Sequence, residues 1–153
     1  MSFENTRVWF SKRFRRSKPR LILKVIFFVV TGTSSGLGKC FVEAVLASGE
    51  RVVATLRKPD VLAYLKDKYT PKQLLVQQLD VVSDEQIEAA FAATKEHFGR
   101  LDVVVNNAGY GLFGEAEGLP LNEAREQVEV LFWGPAKISL KVRPFRAGTL
   151  DEG

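Results

Sequence analysis

Apolar residues fall along this chain in two ways: short unbroken runs, and stretches where they recur every three or four positions. The first predicts strands with both faces buried, the second amphipathic helices. From residue 23 onward the two alternate. A strand is expected over about 23–31, where Val25, Ile26, Phe27, Phe28, Val29 and Val30 are β-branched or aromatic, followed by a helix over about 36–48. Residues 50–56 (ERVVATL) read as a second strand, 59–68 as a short helix with Pro59 in its first turn, and 73–79 as a third strand. Ser83 with Gln86 three residues on is a capping-box pattern, and Ile87, Ala90, Phe91, Thr94 and Phe98 mark one helix face before Gly99 stops it. Residues 101–105 (LDVVV) predict a fourth strand, apolar after Asp102 and so expected to be buried on both faces. A last helix is expected over about 122–141, with Val128, Leu131 and Phe132 on its apolar side and a bend or break at Pro135.

Strand and helix in strict alternation are the order of βαβ units on a parallel sheet, which makes the fold class α/β. The first strand-to-helix junction, Thr31-Gly32-Thr33-Ser34-Ser35-Gly36-Leu37-Gly38, carries three glycines where a dinucleotide-binding turn requires them. Gly32 allows a sharp exit from the strand, Gly36 a close approach of backbone to a pyrophosphate, and Gly38 close packing of the helix. Free N–H groups at the start of that helix would face the phosphates, where the helix dipole favours negative charge. The alternative is a plain strand-to-helix loop.

With Leu79-Asp80-Val81 after the third strand and Asn106-Asn107-Ala108-Gly109 after the fourth, TGTSSGLG resembles the short-chain dehydrogenase/reductase family. The likeness runs from about Phe28 to about Gly148. It implies a Rossmann-like parallel sheet with flanking helices, incomplete here, of about four strands in the order 3-2-1-4. By the same resemblance, Asp80 bonds near the adenine and Val81 contacts it through its backbone, while Asn107, Ala108 and Gly109 steady the sheet beside the cofactor ribose. Thr31, Gly32, Ser34, Ser35, Gly36, Leu37 and Gly38 then form the phosphate turn. The preference at the 2′ position is a separate argument. An NAD-preferring fold usually ends its second strand in an acid, whereas Leu56 is followed here by Arg57 and Lys58. A guanidinium pairs with a 2′-phosphate in bidentate fashion, so NADP(H) is expected over NAD(H).

The family transfers its proton through a serine and a Tyr/Lys pair that follow the fourth strand and its helix. Val142 to Gly148 resembles the approach to the serine strand, so that catalytic segment is expected to be missing, and no catalytic residue is assigned. Leu131 also stands where the family carries an asparagine. Tyr64 and Lys68 have the four-residue spacing but precede the third strand, and read as an ordinary exposed helix face. A chain that stops there would leave Val103, Val104 and Val105 on an unpaired edge, inviting a marginal monomer, a strand-paired oligomer or aggregation.

Composition narrows the remaining choices. One cysteine, Cys40, and one histidine, His97, in 153 residues rule out a disulfide framework and a Cys/His zinc site, and no metal is expected. The net charge of +4 is unevenly spread. Residues 1–24 hold eight Lys/Arg against one acid, and the remainder fourteen against seventeen. A basic, solvated and flexible segment at 1–22 is therefore expected ahead of a partial NAD(P)-binding domain at 23–153. The apolar run Leu21–Val30 falls short of the about 20 residues a membrane span needs, so a cytoplasmic location is expected, with membrane association through 12–30 as the alternative. Segment 11–28 reads either as an insertion from misprocessing, because joining Arg7-Val8-Trp9-Phe10 to Val29-Val30 would give a compact first strand, or as a functional head. The functional expectation is an oxidoreductase-family chain holding the dinucleotide-binding half, its small alcohol or carbonyl substrate handled only in a full-length form. No nucleic-acid partner is expected, while a second copy or a full-length relative is. The alternatives are a non-catalytic nucleotide-binding or interaction module, or a protein directed to membranes by its head.

Overall fold

The computed structural model describes residues 25–142; the basic head, the strand positions expected at 23 and 24, and the stretch 143–153 lie outside the described residues. Strand β1 (Phe27–Val30) leads into α1 (Gly36–Ala47), then β2 (Arg51–Leu56). A 3-10 turn at Pro59–Leu62 precedes α2 (Ala63–Lys68), β3 (Leu74–Gln78), α3 (Asp84–Phe98) and β4 (Val103–Val105). The last helical stretch comprises α4 (Leu121–Val128), a π-helical turn at Glu129–Trp133 and α5 (Gly134–Lys141). The strands form one parallel sheet in the order β3-β2-β1-β4. This is the expected Rossmann-like α/β arrangement.

Alternate residues of each strand serve opposite faces, as the pleat demands. Phe28, Val30, Val52, Ala54, Leu56 and Leu74 pack under α1, the 3-10 turn and α2 through Val42, Val45, Leu46, Leu62 and Leu65. On the other face Val29 and Val53 meet Ile87, Ala90 and Phe91 of α3 and Ile138 of α5. Helix α3 is closed as its sequence predicts: the Ser83 hydroxyl accepts from Gln86 N, and Gly99 takes the left-handed conformation.

Three expectations require correction. Among the described residues β1 begins at Phe27, with Val25 and Ile26 outside it; Asp102 accepts from Phe27 N at 3.0 Å and Glu50 from Ile26 N. The valines of β4 are half-buried rather than buried, since among the described residues this strand pairs with β1 alone and stands at the edge of the sheet. Val128, Leu131 and Phe132 face outward; the inner side of the last helical stretch holds Val130, Gly134 and Ile138. Gly134 fixes that choice, for a Cβ there would come within 2.8 Å of the Val81 carbonyl oxygen. The bend expected at Pro135 takes the form of the π-helical turn. Proline has no N–H for the carbonyl of Leu131, and the helix widens over the preceding turn.

Tyr64 and Lys68 do not converge on a site. The Tyr64 hydroxyl donates to Glu43 Oε1 of α1 at 2.7 Å, with Lys39 Nζ 5.0 Å from the ring centre, while Lys68 Nζ lies over Tyr69. Partial desolvation, then the bond to Glu43 and that carboxylate's charge, push the Tyr64 hydroxyl up to about 12. A raised acid favours the neutral form in the fold, so this tie holds below the ordinary value of 10.0 and is lost as pH rises through about 12. In ultraviolet titration the tyrosinate signal lost in Tyr64→Phe is expected to come late, near 12; a lost signal centred near the ordinary 10.0 would refute the contact.

Candidate functional site

The strand order reverses direction between β1 and β4, and a crevice opens beyond the carboxyl ends of strands at such a switch point. Both turns singled out in the sequence leave the sheet there. They are tied together by Thr31, 1% exposed, whose hydroxyl accepts from Asn107 N and Ala108 N, each at 3.0 Å. Its backbone N–H continues the ladder to Val105 O at 3.0 Å. The Asn107 side-chain amide donates in return to Thr31 O at 2.9 Å and Gly32 O at 3.2 Å.

The three glycines hold different places in this arrangement. Gly32 has φ 68°, and a Cβ on it would come within 2.6 Å of the Ala108 Cα. A Cβ on Gly38 would come within 2.4 Å of both Gly32 O and Asn107 Nδ2, so the start of α1 packs on the two turns rather than on the strands. Gly36, at φ 54°, faces open space within 4 Å. Helix α1 therefore begins beside an open cradle. Ser35 precedes it in extended conformation without a side-chain capping bond, and no acid occupies the first turn. Helix α3 makes the contrast, with a serine cap and Asp84 and Glu85 in its first turn. Ser34, Ser35, Gly36 and Leu37 are exposed at the α1 start.

Arg57 and Lys58 follow β2 at the same edge of the sheet, both exposed and, among the described residues, without an ion pair. Asp80 shapes the turn from β3 to α3: its N–H donates to Gln86 Oε1 at 2.8 Å and its carboxylate accepts from Val82 N at 3.3 Å. Val81 is buried against Gly134. Gly109 is met by the last helical stretch, where the Leu131 Cδ2 lies 2.7 Å from the position a Cβ would take.

Two residues of this region were not among the sequence candidates. Thr33 donates through both its N–H and its hydroxyl to Thr55 O, each at 3.1 Å, and the Thr55 hydroxyl donates to Val30 O at 3.0 Å. Their signal in the sequence is a hydroxyl placed where an apolar run ends. His97 lies at the far end of α3 with Nε2 2.6 Å from Pro71 O, and no group of His, Cys, Asp or Glu among the described residues could hold a metal ion.

The pattern of the short chain dehydrogenases matches residues 26–148. The chain belongs to that family. An uncharacterized oxidoreductase of Schizosaccharomyces pombe is 42% identical over 111 residues, a match covering 72% of this chain and 36% of the relative. Among solved structures, a short-chain dehydrogenase from Streptomyces avermitilis superposes with a TM-score of 0.74 at 34% identity, covering 82% of this chain and 44% of that one. An NADPH-bound carbonyl reductase from chicken fatty liver gives a TM-score of 0.72 at 27% identity, with 79% and 51% covered. The chain thus spans about half or less of the length of each. Among the described residues no helix is long and apolar enough to cross a membrane.

Proposed function

We propose that this chain binds NADP(H) in the crevice between the β1 and β4 turns, as the cofactor half of an alcohol or carbonyl oxidoreductase. The observation that carries the reading is the uncapped, acid-free start of α1 beside Gly36, where a Cβ would fill the cradle a pyrophosphate needs. Orphan N–H groups of that first turn then point at the phosphates, with Thr31, Gly32, Ser34, Ser35, Leu37 and Gly38 completing the turn. Asp80 and Val81 would border the adenine, and Asn107, Ala108 and Gly109 the ribose. Arg57 and Lys58 are exposed just beyond β2, which ends in Leu56 rather than in an acid, and this supports NADP(H) over NAD(H).

When bound, the dinucleotide supplies hydride transfer. The protein's task is to orient it and to move a proton, and general acid catalysis contributes about 10²- to 10⁴-fold. Leu131 presents methyl groups against Gly109, so no proton passes through that position. We place turnover of a small alcohol or carbonyl compound in a full-length form, and give this chain the binding step. Among the described residues β4 pairs with β1 alone, and that edge together with the exposed Val128, Leu131 and Phe132 supports a second copy or a full-length relative as partner.

Calorimetric titration tests the cofactor reading directly. Saturable NADPH binding is expected, weakened about 10- to 100-fold in Arg57→Glu, with NADH affinity little changed, as loss of a charge-assisted pair predicts. No NADPH binding by the folded wild-type chain would refute it.

A further inference from the structure

Among the described residues, the buried polar side chains are Thr31, Thr33, Thr55 and Thr94. Thr94 bonds the carbonyl one turn back in its own helix. The other three gather at the carboxyl ends of β1 and β2, and two of them have no part in the tie between the β1 and β4 turns. Thr33 is fully buried and Thr55 is 1% exposed. Their bonds run in opposite directions across the same gap: Thr33 N–H and Oγ1 to Thr55 O, and Thr55 Oγ1 to Val30 O. The chain leaves the ladder at Gly32 in a left-handed turn, then returns at Thr33 to the carbonyl of β2. Thr55 stands two residues before Arg57.

We infer that Thr33 and Thr55 form a reciprocal hydroxyl clasp that fixes the spacing between the glycine turn and the Arg57-Lys58 pair, and so act as positioning residues for recognition of the 2′-phosphate. The inference rests on the cofactor reading above. Its physical basis is a two-point fit. A nucleotide with a 2′-phosphate is held at the pyrophosphate by the β1 turn and at the 2′ position by groups just beyond β2, so its affinity depends on the distance between two strands' ends. A nucleotide lacking that phosphate keeps only the contacts common to both cofactors, has no charge-assisted contact beyond β2, and so loses less when the two points shift. Valine in place of either threonine keeps the shape and burial while deleting the hydroxyl. The Thr33 N–H remains, so the strand ladder survives while the turn gains freedom.

The test is titration of NADPH and NADH into the wild-type chain and into Thr33→Val, Thr55→Val, Thr33→Ser and Thr55→Ser. In the valine variants NADPH affinity is expected to fall about tenfold and NADH affinity less than about twofold, a pattern set by loss of a charge-assisted contact. The serine variants keep the hydroxyl and are expected to retain the wild-type NADPH-to-NADH ratio. Equal weakening of both nucleotides in the valine variants, or loss of the ratio in the serine variants, would overturn the clasp while leaving the cofactor reading intact. Absence of nucleotide binding in the folded wild type overturns the cofactor reading instead. Amide hydrogen exchange of the ligand-free chain then judges the clasp alone: faster exchange at residues 33–36 in the valine variants supports it, and unchanged exchange overturns it.

Discussion

A methyl group on Gly32 is expected to lower the stability of this chain by about 3–4 kcal/mol, whereas the same methyl on Gly36 costs about 1 kcal/mol. Both glycines have positive φ, 68° and 54°, so backbone strain is common to the two substitutions. The difference lies in what the new carbon meets. At Gly32 it would stand 2.6 Å from the Cα of Ala108, a backbone atom held by the Thr31 hydroxyl and unable to move without breaking the tie. At Gly36 nothing lies within 4 Å. For a domain of this size 3–4 kcal/mol is a drop of roughly 10–20 °C in melting temperature. Binding should follow the opposite order relative to stability. Gly36→Val leaves a folded chain whose cradle is filled, and NADPH binding is expected to fall below detection there, while Gly32→Ala loses binding only in step with folding. Thermal denaturation and titration on the same samples separate the two effects. Equal melting temperatures for Gly32→Ala and Gly36→Ala would show that the Ala108 contact does not constrain the turn.

The sequence was informative where a residue type answers a backbone demand. Gly32 predicted the sharp exit from β1 that its φ of 68° makes, Ser83 with Gln86 predicted the closed start of α3, and alternating apolar runs predicted the parallel sheet. It was less so where a partner in space decides. The apolar content of Val103–Val105 argues for burial on both faces, but burial depends on neighbours, and among the described residues β4 has one. Leu131 and Phe132 read as the inner side of their helix, yet the inner side is set by Gly134 meeting Val81, a contact between positions far apart in the chain. Thr33 and Thr55 were passed over for a related reason. A threonine in a strand suits the pleat as well as valine does, and only the carbonyl it faces reveals what the hydroxyl does.

Thr31→Val is expected to cost about 3 kcal/mol, close to the Gly32 substitution, although it removes no buried volume. The Thr31 hydroxyl is the acceptor for two backbone N–H groups, those of Asn107 and Ala108, each at 3.0 Å. Valine is isosteric but accepts nothing, and a buried N–H left without a partner costs about 1–3 kcal/mol. Replacing one partner is therefore worse than deleting both would be. Thr31→Ser keeps the acceptor and gives up one methyl, for about 1 kcal/mol. Chemical denaturation should rank the proteins wild type, Thr31→Ser, Thr31→Val, and amide exchange should quicken at Asn107 and Ala108 in the valine variant alone. A valine variant as stable as the serine variant would mean that the two amides find other acceptors. If the order holds, the consequence reaches the crevice itself. The carbonyls of Thr31 and Gly32 that receive the Asn107 side chain belong to the turn that ends at Gly36, so one hydroxyl at the end of β1 sets both the β4 edge strand's exit and the cradle's shape. Stability of the fold and geometry of the candidate nucleotide site are, at this residue, the same hydrogen bonds.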